Sequence, residues 1–276
     1  IVSLAPSVTE ILFALNLQDS IVGATDYCNY PPEAKKIERV GGFGAPNIEK
    51  LLAMHPDLVI ATGLERSDAA KALRESGIRL LELRIRNFRE MFEAILDIGR
   101  ATGKSQKAKE AVFAMQTELE IVAKRHANLA PAQRPRVFVE IWHDPLITAG
   151  GASFVDDVIT CAGGVNVAHD LAQAYPHINA EQVIEWNPDV IVLGYMEAQS
   201  DAAMRVAKRI GWGDIAAVRH RRIIADIPPD LILRSGPRAI EGVKAMAQRL
   251  LEGHARSWPI RTDSARKNER ARANGG

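Results

Sequence analysis

The chain has 276 residues, of which 47% are hydrophobic and 25% are charged, and its formal net charge is +1. This composition is typical of a folded globular protein and excludes the collagen-like and intrinsically disordered classes. The balanced charge argues against a dedicated nucleic-acid-binding protein. Two cysteines are too few for a disulfide-built scaffold or for a four-cysteine zinc site.

The first hundred residues alternate short β-branched runs with helical stretches. The predicted strands are Ile1–Leu4, Ile21–Ala24, Asp57–Ala61 and Ile78–Leu83. Near-continuous apolar strands separated by helices indicate a parallel sheet in an α/β domain. The same alternation restarts after Pro135, with predicted strands at Arg136–Trp142, Val190–Gly194 and Arg221–Asp226 and a closing helix from Pro237 to Leu251.

A long helix is predicted between these two halves, from Ser105 to about His126. The stretch contains no glycine or proline, and its apolar residues recur at three- and four-residue spacing: Ala108, Ala111, Val112, Met115, Leu119 and Val122. Such a helix spans roughly 33 Å, which is long enough to join two lobes. An ordinary surface helix within one domain is the alternative.

These patterns predict an α/β protein built from two Rossmann-like lobes joined by a single long helix. The predicted boundaries are residues 1–103 for the N-terminal lobe, 104–130 for the linking helix and 131–256 for the C-terminal lobe. Residues 257–276 carry five Lys or Arg against two Asp or Glu and have few large apolar side chains. We expect them to form a basic, disordered tail.

An internal repeat supports the two-lobe interpretation. Asn47–Ile60 aligns without gaps on Asn179–Val192, at an offset of 132 residues, with the shared pattern N-x-E-x-[LV]-[LI]-x-x-x-P-D-[LV]-[VI]-[IV]. Each copy predicts a short helix capped by asparagine, a Pro-Asp break and a buried strand. We interpret the repeat as two related lobes, with convergence on a common helix–turn–strand pattern as the alternative.

The sequence offers no compact catalytic constellation. It lacks a G-x-S-x-G nucleophile elbow, an H-E-x-x-H zinc motif and a G-K-[ST] phosphate loop, and its seven histidines are scattered. Ala149-Gly150-Gly151 favours a tight turn over an anion site. We therefore predict no enzyme, no catalytic residue, no metal site and no intrinsic cofactor. An α/β enzyme that uses Glu49 or Asp230 as a general base is a remote alternative.

Two groups of residues are candidates for binding. The first lies where loops follow the predicted strands and suits a large planar or apolar ligand between the lobes: Tyr27, Phe43, Trp142, Tyr175 and the stretch Asp230–Arg234. Trp186 and Trp212 are assigned to the core. The second is Glu49 and Glu181, which occupy equivalent first-turn positions in the repeat. Each of these glutamates stabilises its own helix N-terminus, or the pair contacts a two-fold symmetric partner.

Several segments carry a resemblance to a known family. They are Tyr27–Val40, Asn47–Ala61, Cys161–Asn166 and, more loosely, Arg234–Arg238. Over residues 1–251 the chain resembles the substrate-binding proteins of ABC importers for vitamin B12, haem and ferric siderophores, and most closely their vitamin B12-binding members.

The resemblance implies a function and a partner. It implies a monomeric protein without chemistry of its own, either periplasmic or lipid-anchored outside the cytoplasmic membrane. The transported ligand would be cobalamin or another corrinoid, delivered to an ABC permease dimer in the membrane. Glu49 and Glu181 match two glutamates that pair with arginines of the permease.

The resemblance also implies residue roles in the ligand site. Tyr27 would stack on the corrin, and Phe43 and Tyr175 stand where vitamin B12-binding members have tryptophans. Asp230, Leu231, Ile232, Leu233 and Arg234 match a ligand-contacting loop, although Leu231 replaces an aromatic there. Cys161 matches half of a disulfide whose other half is absent here, so we expect Cys28 and Cys161 to be free thiols.

Two related interpretations stay open. A haem or ferric-siderophore carrier of the same family would use iron ligands or cationic contacts from Tyr27, Tyr175, His143, His177, Arg84, Arg86 and Arg234. A cytoplasmic protein of the same fold that handles corrinoids or metalloclusters is a second alternative.

Overall fold

The computed structural model describes residues 1–64, 68–195 and 201–252. The predicted basic tail, residues 257–276, and the last residues of the predicted C-terminal lobe lie outside this range. The described chain divides into two compact units: residues 1–118 with 230–241, and residues 119–229 with 242–252. The sequence-based division places 230–241 in the C-terminal lobe, whereas the structure groups them with the first unit.

The first unit contains a four-stranded parallel sheet with the strand order β2-β1-β5-β6. Its strands are β1 (Val2–Ser3), β2 (Gly23–Ala24), β5 (Val59–Thr62) and β6 (Leu80–Leu83), and an antiparallel hairpin is formed by β3 (Gly41–Gly42) and β4 (Ala45–Pro46). Its helices are α1 (Pro6–Ala14), α2 (Ile48–Ala53), α3 (Asp68–Glu75) and α4 (Phe88–Ala101). Strands β1 and β5 are buried on both faces, as expected for a parallel sheet covered by helices.

The second unit has a five-stranded sheet centred on β7 (Arg136–His143). Strand β10 (Val190–Leu193) and, beyond it, β11 (Ile223–Ile224) are parallel to β7, β9 (Val165–Asn166) pairs with it in parallel, and β8 (Leu146–Thr148) forms an antiparallel hairpin with it. The helices are α6 (Phe154–Cys161), α7 (Ala180–Trp186), α8 (Ala202–Ala207) and α9 (Ala216–Arg219). Trp212 is fully buried in this unit's core against Phe138, which confirms its predicted core position, whereas Trp186 is partly buried and packs against the edge of that core.

Three further helices lie where the chain passes from one unit to the other. Helix α5 spans Ser105–His126 as predicted, and the division between the units falls within it, after Glu118. A short helix, α10 (Pro229–Leu233), opens the segment that returns to the first unit, and α11 (Ala239–Glu252) closes the described chain.

The repeat is visible as local structure in both units. The side chains of Asn47 and Asn179 each accept a hydrogen bond from the backbone N–H three residues on, at 2.9 Å, and so cap α2 and α7. Each helix is followed by a Pro-Asp break and then by a buried strand, β5 or β10. The predicted helix–break–strand unit is therefore present twice.

No helix within the described ranges combines the length and the apolar character needed to cross a bilayer.

Candidate functional site

In the first unit, exposed aromatic rings follow the sheet and the hairpin. Tyr27 lies just beyond the C-terminal end of β2 and is 61% exposed, and Phe43, at the tip of the β3–β4 hairpin, is 53% exposed. The turn that carries Tyr27 is fixed because the Asp26 N–H donates to the Gly41 carbonyl at 3.0 Å and the Cys28 N–H donates to the Thr25 carbonyl at 3.1 Å. Both rings are therefore presented to solvent from hydrogen-bonded backbone, Tyr27 from this turn and Phe43 from the paired β3–β4 hairpin.

Arg234 joins the predicted segment 230–234 to the Tyr27 turn. Its guanidinium donates to Asn29 Oδ1 at 2.7 Å, lies 3.5 Å from the Tyr27 carbonyl oxygen and pairs with Asp230 at 2.9 Å. Its side chain is 13% exposed. The structure thus brings Tyr27, Asp230 and Arg234 together, with Arg234 directed mainly at protein groups.

The other members of segment 230–234 differ in accessibility. Ile232 is fully buried, because α10 turns it into the core, so its side chain offers no surface to a ligand. Leu231 and Leu233 are half-buried on either side of it. The sequence resemblance implied ligand contact for all five residues of this segment. It did not reveal that they lie on a helix, which buries Ile232 and leaves its neighbours partly exposed.

In the second unit, three rings cluster at the carboxyl ends of β7 and β10. Trp142 is 37% exposed, and its ring centroid lies 5.0 Å from that of His143 and 6.4 Å from that of Tyr195, which it meets edge-on. The Trp142 indole N–H donates to the Asp144 carbonyl at 2.9 Å. Trp142 is therefore held in place, with His143 exposed beside it.

A buried ion pair supports this aromatic cluster. Glu140 is fully buried on β7 and accepts two hydrogen bonds from Arg209, at 2.6 and 2.8 Å. Burial, followed by the charge of Glu140, raises the pKa of Tyr195 to about 12, so this ring stays neutral. Sequence reasoning missed Tyr195, although its place after the Val190–Gly194 strand was a usable signal.

Tyr175 lies in the loop between β9 and α7, which is hydrogen-bonded to β8 and to the turn after it. The Thr148 N–H donates to the Pro176 carbonyl at 3.2 Å, and the Gly150 N–H donates to the Ala174 carbonyl at 3.0 Å. These bonds fix the backbone on both sides of Tyr175, whose side chain is 46% exposed. The Gly150 N–H donates to the Ala174 carbonyl and the Gly151 N–H to the Leu171 carbonyl, so neither amide is available to an anion.

Glu49 and Glu181 occupy the first turns of α2 and α7, and both are exposed. The neighbouring Lys50 pairs with Glu38 at 2.5 Å, and Gln182 completes a capping box with Asn179. Both glutamates therefore lie in the first turn of an asparagine-capped helix, one in each unit.

Several other candidate residues bind protein groups or lie apart from one another. Arg86 binds Glu90, and this hydrogen bond lowers the pKa of that carboxyl group. Cys28 and Cys161 are free thiols in different units. Among the described residues, no group of three or more His, Cys, Asp or Glu side chains is placed to hold a metal ion.

Comparison with known proteins gives a consistent result. The family model described as "Periplasmic binding protein" matches residues 1–251. An ABC transporter substrate-binding lipoprotein of Bacillus subtilis strain 168, YvrC, is 37% identical over 253 residues, which cover 90% of this chain and 78% of the relative.

Two solved structures share the fold along nearly the whole chain. The periplasmic vitamin B12 binding protein BtuF of Vibrio cholerae superposes with a TM-score of 0.78 at 27% identity, covering 92% of this chain and 96% of BtuF. The periplasmic heme-binding protein RhuT from Roseiflexus sp. RS-1 gives a TM-score of 0.80 at 25% identity, covering 91% and 97%. The predicted α/β fold class and the predicted resemblance are confirmed, and the chain belongs to the periplasmic binding protein family.

Proposed function

We propose that this protein is the substrate-binding component of an ABC importer and that it carries a corrinoid such as cobalamin. The observation that carries the proposal is the set of exposed aromatic side chains on ordered backbone beyond the sheet strands, above all Tyr27. A corrin is a large, nearly planar ring, and aromatic faces suit such a ligand. The similarity to BtuF supports the corrinoid assignment.

The proposed ligand contacts are Tyr27 and Phe43 in one unit and Trp142 and Tyr175 in the other. Asp230, Leu231, Leu233 and Arg234 are proposed contacts at the edge of the Tyr27 turn. The ligand is cargo, so the protein needs no intrinsic cofactor and performs no chemistry on it. We propose that it acts as a monomer outside the cytoplasmic membrane, in the periplasm or on a lipid anchor, as the lipoprotein relative suggests.

Glu49 and Glu181 are the proposed contacts with the permease dimer. Both are exposed on matched, capped helix starts. A two-fold symmetric dimer presents the same cationic group twice, so two equivalent carboxylates can meet it at both places. Charge pairs of this kind mainly steer encounter and orientation.

A haem carrier is the second candidate, and one observation favours it. His143 is exposed and lies beside Trp142 and Tyr195, and an imidazole next to aromatic faces can ligate haem iron. The similarity to RhuT is of the same order as that to BtuF.

The visible absorbance spectrum separates these candidates. The protein is incubated in turn with cyanocobalamin, haemin and a ferric siderophore, and each mixture is then desalted. Retention of the cobalamin spectrum, with the other two ligands lost, supports the corrinoid proposal. Retention of haemin alone, with an absorbance band that shifts on His143→Ala, would replace it with the haem carrier.

A further inference from the structure

Glu10 is a carboxylate buried inside the first unit. It lies on α1 and is 4% exposed. Its Oε1 accepts a hydrogen bond from Arg238 Nη2 at 2.6 Å and lies 3.5 Å from Arg234 Nη1. A buried carboxylate is costly unless it is paired and hydrogen-bonded, so Glu10 and the two arginines depend on one another.

Both arginines reach past Glu10 to the loop that carries Tyr27. Arg234 donates to Asn29 and lies beside the Tyr27 carbonyl. The guanidinium carbon of Arg238 lies over the Tyr30 ring, 3.7 Å from its centroid. A guanidinium group stacks on an aromatic face and donates along its edge at the same time, which a lysine cannot do.

The charges in this cluster balance. Asp230 pairs with Arg234 at 2.9 Å and lies 4.0 Å from Arg238, so two carboxylates face two guanidinium groups. Gly236 leaves room for Glu10, because a Cβ at that position would lie 3.3 Å from Glu10 Oε2. Removal of the Glu10 charge would leave a buried excess of positive charge under the loop.

We propose that Glu10 is a positioning residue for ligand binding, which holds Arg234 and Arg238 against residues 27–30 and so fixes the Tyr27 ring. Glu10 itself does not touch the ligand. This inference rests on the proposed function where it treats Tyr27 as a ligand contact, and its structural part can be tested without any ligand.

The ligand-free test uses fluorotyrosine and fluorine NMR. The chain has four tyrosines, Tyr27, Tyr30, Tyr175 and Tyr195, so each resonance can be assigned by substitution. Glu10→Gln should shift or broaden the Tyr27 and Tyr30 resonances and leave the other two in place. Glu140→Gln is the matched control, because it breaks a buried Glu–Arg pair in the other unit and should move Tyr195 instead.

Affinity for cyanocobalamin tests the functional part through a double-mutant cycle. Glu10→Gln should weaken binding by about fivefold or more, at the lower end of what losing an aromatic stacking contact costs. In a Tyr27→Ala background the same change should weaken binding less than it does in the wild type, because the part of the loss that is transmitted through Tyr27 is already gone and only the part transmitted through Arg234 remains. A purely structural role would give equal losses in both backgrounds.

The outcomes distinguish the two proposals. If the wild-type protein binds no corrinoid but Glu10→Gln still moves Tyr27 and Tyr30, the proposed function fails and Glu10 keeps its role in ordering the loop. If both resonances stay in place, the positioning role is overturned. Should Glu10→Gln fail to fold, Arg238→Lys decides instead: it keeps the charge, loses the planar contact with Tyr30, and must move the same two resonances.

Discussion

His55 and Asn187 hold equivalent places in the two copies of the repeat, and both adopt left-handed backbone, with φ of 46° and 44°. Each follows the C-terminal end of the short helix that begins at a capping asparagine. Their contacts differ, because Asn187 Oδ1 accepts a hydrogen bond from the Ala216 N–H at 2.8 Å. The pair therefore shares a backbone conformation but not a tertiary contact.

Glycine at these two positions should change stability in opposite directions. His55→Gly should raise the free energy of unfolding by about 0.5–1 kcal/mol, because a left-handed conformation costs a non-glycine residue more than glycine's extra chain entropy. Asn187→Gly should lower it by about 1 kcal/mol or more, because the Ala216 N–H loses its acceptor. Urea unfolding of both variants measures this, and shifts of the same sign would contradict it.

Substitutions at Tyr27 should separate stacking from metal ligation. Tyr27→Ala should weaken cobalamin binding roughly 5- to 150-fold, by analogy with base–aromatic stacking. Tyr27→Phe keeps the ring and should change the affinity by less than about threefold. Calorimetric titration of the three proteins is the measurement. A loss on Tyr27→Phe as large as that on Tyr27→Ala would mean that the hydroxyl is the contact, as in a haem site.

Charge reversal at Glu49 and Glu181 should abolish docking without affecting the ligand site. The double variant Glu49→Lys with Glu181→Lys replaces attraction with repulsion at both proposed contacts, and losing two tethered contacts costs more than two separate ones. Ligand affinity should stay within about twofold, since surface changes away from a site usually cost little. Co-purification with the permease and transport in membrane vesicles measure the docking.

A control with the same charge change makes this test specific. Glu75 and Glu120 are exposed elsewhere, one in each unit, and Glu75 lies 3.9 Å from Lys71 in an exposed ion pair. Glu75→Lys with Glu120→Lys should dock and transport normally. If both double variants failed equally, the effect would come from net charge and not from the two proposed contacts.

His169 should give the stability a pH dependence of known sign. The hydrogen bond that His169 Nδ1 donates to the Asp156 carboxylate, followed by the charge of that carboxylate, raises the pKa of His169 above its ordinary value of 6.5, with a smaller contribution from Asp170. Because the pKa of His169 is higher in the folded state than in the unfolded state, protonation of this side chain stabilises the fold. The stabilisation is complete at pH values below the unfolded-state pKa and is lost as the pH rises through the folded-state pKa. The side chain is 65% exposed, so solvent screening keeps the effect below about 1 kcal/mol.

The matching substitution is His169→Gln. It should lower the free energy of unfolding relative to wild type at pH 5.5, and the difference should shrink by pH 8.5. Denaturant unfolding at both pH values measures this. A difference that grows with pH would show that the Asp156–His169 pair does not have the assigned charge state.

Both thiols should resist modification in the native protein. Cys28 is fully buried, and burial together with Asp157 raises the pKa of Cys161 to about 12, which suppresses its reactive thiolate. Ellman's reagent should therefore titrate about two thiols per chain in denaturant and almost none in the folded state on the same timescale. Rapid native labelling of Cys161 would contradict this.

The sequence predicted elements that depend on local pattern. Helix α5 was predicted at its observed bounds, because an uninterrupted apolar stripe specifies a helix without reference to the rest of the chain. The capping role of Asn47 and Asn179 was predicted for the same reason, since a cap and its N–H partner lie three residues apart. In both cases the interacting residues lie only a few positions apart in the sequence.

What the sequence did not predict depends on residues far apart in the chain. Segment 230–241 groups with the first unit, and its arginines pair with Glu10, more than two hundred positions earlier. Tyr195 belongs with Trp142 because β10 and β7 are neighbours in the sheet, a pairing that no local pattern encodes. Likewise, Ile232 is buried because α10 forms there, which the match to a ligand-contacting loop did not reveal.

Corrinoid binding by this protein can be measured in a single calorimetric titration. Cyanocobalamin is titrated into the purified protein, and the titration is repeated with haemin present as a competitor. We expect saturable binding at one ligand per chain, with an affinity that haemin leaves unchanged. The absence of cobalamin binding in a folded sample that binds haemin would contradict it.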